Sequence, residues 1–508
     1  MKLVRASVST VILAVTVAPA VSARQASTSN APRVLSVTNP ADDGGAGTLR
    51  WAIESSNATP DRETIAIDTR PVRVITLKSP LPSIKGPVLI EGSAWKRTGE
   101  FSVIDGSGYI AGAGPESCPG ATSGQYGANV RTMTSPGLQL IDTADVEIAG
   151  IEVRRFCIGI LVNRSTRVVI RDSRFIENRG GAGVMLTGDD GQGNPTSTTT
   201  NNNKVLRNEF IDNGDGLELT RGAAFNLIAD NVFRSTSANQ EPSQGIEILR
   251  GNDNVVSGNR FEGYSDGLQI NWGDRNYIVA NTFIDNTFGL NLTGIGNIVD
   301  NNIVTANRIG IVIRPADPSP VVRLTRNRVS GNGREIRRCE AGGTCDDRAP
   351  RGGVIFGLPG LEHENFVGSR GRGVTPNPGT MLHICPQHAP QCQPAPNRGL
   401  LRPTLTAVRE AASEVTVTGT INGSPSSRYL IELFGNGAAT GEESELFLDD
   451  IPAFTDESGV ATFSLRIDRS RLAGLRAVIA TMTSDDGATS APSAPLPIKP
   501  TSRRLESQ

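Results

Sequence analysis

Residues 245–261 read GIEILRGNDNVVSGNRF, and twenty-two positions on, residues 267–283 read GLQINWGDRNYIVANTF. In both stretches a glycine opens an apolar-x-apolar strand, and a second apolar run closes on Asn-x-Phe. The same two pieces recur in seven copies: GILV at Gly159, GVML at Gly183, GLEL at Gly216, GIEI at Gly245, GLQI at Gly267, GLNL at Gly289 and GIVI at Gly310. The matching closings end at Phe175, Phe210, Phe233, Phe261, Phe283, Ile303 and Val329. A period near 22 residues with two or three short β runs is one coil of a parallel β-helix, in which a unit buries its apolar face only by stacking on its neighbours.

Stacked coils place equivalent residues above one another at about 4.8 Å, so like sits on like. Phe175, Phe210, Phe233, Phe261 and Phe283 are expected to form an aromatic stack continued by Ile303 and Val329. Two residues earlier, Asn208, Asn231, Asn259, Asn281, Asn301 and Asn327 are expected to form an amide ladder. Both columns read as structural, because cross-β stacking rewards them.

The repeat sits in an all-β chain: a right-handed parallel β-helix followed by a small antiparallel β-sandwich. Residues 1–23 carry Lys2 and Arg5, an apolar run from Val8 to Ala18, and Val21-Ser22-Ala23, the pattern of a cleavable secretory signal. Residues 24–34 read as a disordered leader. The β-helix is assigned to 35–333, with an amphipathic capping helix near 48–57 that starts at Thr48 and turns Leu49, Ala52 and Ile53 inward. Residues 334–399 are rich in Cys, Pro and Gly and read as end cap and linker. Alternating strands VTVTGTI, RYLIELF, ATFSLRI and AVIATMT make 400–498 the sandwich, and 499–508 a disordered tail.

The run VTNPADDGGAGTLRWAIESSNATPDRETIAID (37–68), followed by ITLKSPLPSIKGPVLIEGSA (75–94), resembles the N-terminal cap and first coils of bacterial secreted right-handed β-helix repeat proteins of the pectate-lyase-like fold. GVTPNPG at Gly373 and RPTLTA at Arg402 resemble segments that lead into a β-sandwich module in that family. The resemblance covers most of residues 35–498 and implies fold and export more than any one reaction. The stretch after GVTPNPG, often acidic in the family, is here MLHICPQHAPQCQPAPN, which weakens the case for calcium there.

Without the signal's two bases, 48 Lys and Arg stand against 52 Asp and Glu, a net charge of about −4 that argues against general nucleic-acid binding. No other stretch is long and apolar enough to span a membrane. The chain is therefore expected to be secreted or held at the cell surface, and capped ends favour a monomer. Six cysteines in an exported chain point to disulfides, with Cys118–Cys157, Cys339–Cys345 and Cys385–Cys392 as one of fifteen pairings.

The candidate site is a column that breaks the apolar pattern. Two residues after each repeat glycine the chain carries Leu161, Met185, Glu218, Glu247, Gln269, Asn291 and Val312, polar in the middle and apolar at both ends. Nearby positions add Asp215 and Asp266, and three residues after the column come Arg221, Arg250 and Trp272. Acids to exchange protons, Arg forks to neutralise acidic sugars and an indole to stack on a ring suit an extracellular polysaccharide. Glu218 and Glu247, one coil apart, would sit about 5 Å apart, near the spacing of a retaining glycosidase pair.

Catalytic candidates are thus Glu218, Glu247, Asp215 and Asp266, and substrate-binding candidates Arg221, Arg250, Trp272, Gln269 and Asn291. A glycoside hydrolase and a lyase both remain open, the latter with Tyr264 or a glutamate as base. So does a non-catalytic adhesion or structural role, in which the patch is solvated surface. His363, His383 and His388 all follow the last repeat, so no coil supplies a histidine, and no metal site is expected. Calcium is left to Asp189 and Asp190 in the polar loop GDDGQGNPTSTTTNNN, without the regular spacing of a calcium loop.

Overall fold

The computed structural model describes residues 33–335 except 71–72, 111–135, 180, 191–194, 197–199, 240–241, 315 and 317, the backbone of 352–356, and residues 396–498 except 441–442. The expected signal, the leader as far as residue 32, the tail and all cysteines but Cys157 lie outside the described residues, and so do the three expected disulfide pairings. The expected leader runs one residue too far, since Val34 already opens a strand paired with Thr64.

The repeats stack as a parallel β-solenoid with three sheets of eleven, ten and nine strands. Each closing run is two strands rather than one. Lys204–Leu206 lies in the first sheet and Glu209–Ile211 in the second, separated by a corner at Arg207 and Asn208, where Arg207 adopts a left-handed φ of 53°. The third sheet holds the six-residue strands Asp215–Thr220, Gln244–Leu249 and Asp266–Asn271 side by side.

The expected aromatic column forms: the rings of Phe175, Phe210, Phe233, Phe261 and Phe283 stack with centroids 4.5–4.9 Å apart. Its continuation is Val304, not Ile303, since Phe283 pairs with Val304 and Ile303 faces solvent. The amide ladder shifts with it. Asn281 donates to Asn302, which donates to Asn327, while Asn301 takes a left-handed corner conformation. Read as Asn-x-Phe, the run NNIV offers two registers, and burial of the smaller Val304 fills the core. A second ladder, Asn203–Asn226–Asn254–Asn276–Asn297, lines another corner.

The repeat glycines mark a close approach between coils. A Cβ at Gly216 would lie 2.5 Å from the Gly245 carbonyl oxygen and 2.5 Å from the Phe233 ring, so any larger residue would push the aromatic column apart.

Both ends of the solenoid are covered. Helix Leu49–Asn57 begins at Thr48, whose side chain accepts from Trp51 N, and buries Leu49, Ala52 and Ile53 as expected. Beyond Thr325 the last coil meets the C-terminal sheets, a three-stranded and a four-stranded antiparallel sheet around a separate core. Leu324 N donates to Thr489 Oγ1, Arg326 N to Glu432 Oε1, and Val329 bridges Ser444. Gly352–Phe356, inside the expected end cap, adds a last strand to the third sheet beside Ile309–Ile313.

Candidate functional site

The third sheet carries the site, and its register delivers the column read from the sequence. Met185, Glu218, Glu247, Gln269, Asn291 and Val312 are successive cross-strand partners. Their strand neighbours Leu217, Leu219, Ile246 and Ile248 are fully buried on the inner face, so alternation fixes the polar side chains outward.

Outward does not mean exposed here. Glu218, Asp215, Asp266 and Asn291 are all less than a tenth exposed. At the ends of the column Leu161, Ala182 and Met185 cluster with Ile110 and Ile158, and Ile309 and Val312 with Phe288. The polar stretch therefore spans about four coils between apolar packing at either end.

At its centre the carboxyl oxygens of Asp215, Glu218 and Glu247 all lie within 4.8 Å of one another. Asp215 Oδ1 accepts from Gln244 N at 3.0 Å. Burial, reinforced by the charges of Glu247 and Glu218, pushes the Asp215 carboxyl well above the usual carboxylate range. Burial and the Glu247 charge likewise push Glu218 up to about 8, against a smaller opposing pull from Arg221. Such a set either holds protons at neutral pH or, ionised, offers three hard oxygen ligands to a divalent cation.

Residues that follow four of the third-sheet strands form a second set: Arg164, Arg221, Arg250 and Trp272 all take left-handed φ values of 47–58°. Arg221 Nε lies 3.5 Å from Asp189 Oδ2. The Arg250 guanidinium lies over the Trp272 ring at 5.7 Å, and the indole is 52% exposed. Asp189, a calcium candidate in the sequence, is fully buried, with its amide and carbonyl bonded to the side chain of Asn163.

The sequence model described as "Right handed beta helix region" matches residues 196–347. A protein of Acinetobacter baylyi named 3-dehydroshikimate dehydratase is 51% identical over 455 residues, spanning 88% of this chain and 92% of its own length. The chain belongs to the right-handed β-helix family of that relative. Among solved structures, pectate lyase Pel9A is 13% identical over 67% of this chain and 86% of its own, with a TM-score of 0.35. A polygalacturonase of Erwinia carotovora ssp. carotovora is 12% identical over 58% of this chain and 93% of its own, with a TM-score of 0.31.

In this β-helix family member, the sequence-derived residues divide into those at the centre and those that frame it. Asp215, Glu218 and Glu247 converge. Asp266 stands apart from that triad, its carboxylate accepting from Asn291 Nδ2 at 2.7 Å and from Ser265 Oγ at 3.1 Å. Gln269 accepts from Asn271 Nδ2.

Tyr264, named as a lyase base, is excluded from that role. It is fully buried inside the coil, in the corner column continued by Asn286 and Asn307, and burial raises its hydroxyl far above the ordinary tyrosine value. Sequence reading missed Asn271 and Arg314. Asn271 Nδ2 donates to Glu247 Oε1 at 3.1 Å, and Arg314 Nη2 donates to Asn271 Oδ1. Asn271 was legible as the next outward position after Gln269, just before Trp272; Arg314, two coils away, was not.

Proposed function

We propose that this chain is a dehydratase for 3-dehydroshikimate or a hydroxylated cyclic enone carboxylate of similar size. The observation that carries the reading is the convergence of Asp215, Glu218 and Glu247, one carboxyl oxygen of each within 4.8 Å of the others, where burial pushes Glu218 up to about 8. The 51% identical relative's name supports the substrate.

Dehydration of such a ring needs a base and an acid on adjacent carbons. Glu247 removes the proton next to the ketone, the electron pair forms the new ring double bond, and the β-hydroxyl leaves with the Glu218 proton as water. The dienone then shifts a ring proton to the ketone oxygen and becomes an aromatic diol; one substrate gives one product and one water. Two carboxyls whose surroundings push their proton affinities apart suit this division of labour. Arg221 and Arg250 are placed to take the substrate carboxylate, and Trp272 to cover its ring.

A second reading, cleavage or binding of an extracellular polysaccharide on the same face, draws on the half-exposed Trp272 beside Arg250. Export is part of either reading, supported by the N-terminal signal pattern and by the disulfide at Cys157.

The test incubates residues 24–508 with 3-dehydroshikimate, following the ultraviolet absorbance of an aromatic product, and in parallel with neutral and acidic polysaccharides, following reducing ends and unsaturated products. Aromatic product lost in Glu218→Gln and Glu247→Gln supports the dehydratase. Reducing ends or unsaturated sugars without it favour the polysaccharide reading.

A further inference from the structure

The geometry points to Arg314 as a positioning residue that acts through Asn271 on Glu247, an inference that rests on Glu247 being the base. Arg314 follows the strand Ile309–Ile313, two coils beyond Asn271, and its guanidinium reaches back over the Leu292 coil to Asn271 Oδ1. Asn271 Nδ2 in turn donates to Glu247 Oε1 at 3.1 Å and to Gln269 Oε1 at 2.5 Å.

The direction of this relay follows from donor and acceptor inventory. An amide presents an oxygen on one side and an NH2 on the other, and the two ends differ little in shape. A guanidinium has donors only, so whatever faces Arg314 must be the oxygen. Arg314 therefore forces the NH2 toward Glu247. Without it, the oxygen end of the amide loses its anchor, and the side chain is free to swing its NH2 off Glu247 Oε1, so that the donor no longer holds the base in place. The bond from Arg314 to Asn271 lies one step back from the bond of Asn271 to Glu247, so along this relay its effect passes through the orientation of one amide.

Two measurements test this. In the first, kcat and KM for 3-dehydroshikimate are compared for wild type, Arg314→Ala, Arg314→Lys and Arg314→Ala combined with Glu247→Gln, with thermal unfolding confirming that each variant is folded. Loss of a hydrogen bond to a charged group predicts a fall in kcat on the order of tenfold to a hundredfold for Arg314→Ala with KM little changed. Arg314→Lys, which still offers donors only, should recover most of it, and the double variant should be no worse than Glu247→Gln alone.

The second measurement needs no turnover. In 15N-labelled protein, the side-chain amide signal of Asn271, assigned by its disappearance in Asn271→Asp, should shift in Arg314→Ala and return in Arg314→Lys. An unmoved signal, a wild-type kcat in Arg314→Ala, or no recovery in Arg314→Lys overturns the inference. If wild type does not convert 3-dehydroshikimate, the proposed function fails on its own account, and the amide signal alone decides whether Arg314 orients Asn271.

Discussion

Replacing Glu218 with Gln should make the protein more stable and less active at once. The sign follows from proton linkage. An ordinary glutamate ionises near 4.5, whereas Glu218 in the folded chain is pushed up to about 8. Between those values the unfolded chain has lost the proton and the folded chain keeps it, so stability falls as pH rises from about 4.5 to about 8 and levels off above. The interval of about 3.5 pH units, at ~1.4 kcal/mol each, sets a ceiling near 5 kcal/mol. Relaxation and water entry reduce such penalties in real proteins, so we expect about 2 kcal/mol at pH 9.

Gln has nearly the same shape and no charge to bury. Unfolding midpoints of wild type and Glu218→Gln, measured in urea from pH 5 to pH 9, should coincide at the acid end and diverge upward until about pH 8. Dehydration of 3-dehydroshikimate should be lost at every pH. A difference that does not change with pH, or a Gln variant less stable than wild type at pH 9, would refute the placement of Glu218 as a buried protonated acid.

The same proton predicts the activity profile: turnover by wild type should fall above about pH 8 as Glu218 ionises, which a pH–rate series on 3-dehydroshikimate will show. Phe233→Ala removes a fully buried ring stacked between Phe210 and Phe261, and should cost about 3–5 kcal/mol in urea unfolding. Trp272→Ala removes a half-exposed indole and should raise KM several-fold, while an unfolding midpoint changes by less than about 1 kcal/mol.

The parts of this molecule that repeat were legible, and the parts that reach across repeats were not. Phe175 to Phe283 and the Glu218–Glu247–Gln269–Asn291 row could be read because stacking converts a 22-residue spacing directly into cross-strand neighbours. The Ile303 assignment slipped by one residue because NNIV satisfies the pattern in two registers, and only burial of Val304 decides between them. Tyr264, offered as a lyase base, takes a corner position that carries Asn in the following coils, and nothing in the spacing says that a ring placed there turns inward. The bond from Arg314 to Asn271 depends on side-chain length across two coils, which a column reading does not contain. The burial of Glu218, 6% exposed on the outward face of its strand, is likewise invisible in a periodic pattern.

A solenoid is well suited to hold three carboxyls that repel one another. Its stability is a sum over coils and the contacts between neighbours, so an unfavourable patch in the middle is carried by the coils on either side. Beneath Glu218 and Glu247 the inner faces hold Leu217, Leu219, Ile246 and Ile248, all fully buried, and the Phe233 and Phe261 rings are stacked 4.8 Å apart. The backbone under the site is therefore anchored by the best-packed part of the core, and the spacing of the two glutamates is fixed by the same parallel ladder that fixes the rings. The ladder holds the two glutamate Cα atoms as cross-strand partners, so the backbones cannot move apart to separate the carboxyls. The repulsion is relieved instead by a proton kept on Glu218, and a retained proton beside a charged neighbour is what an elimination of water requires.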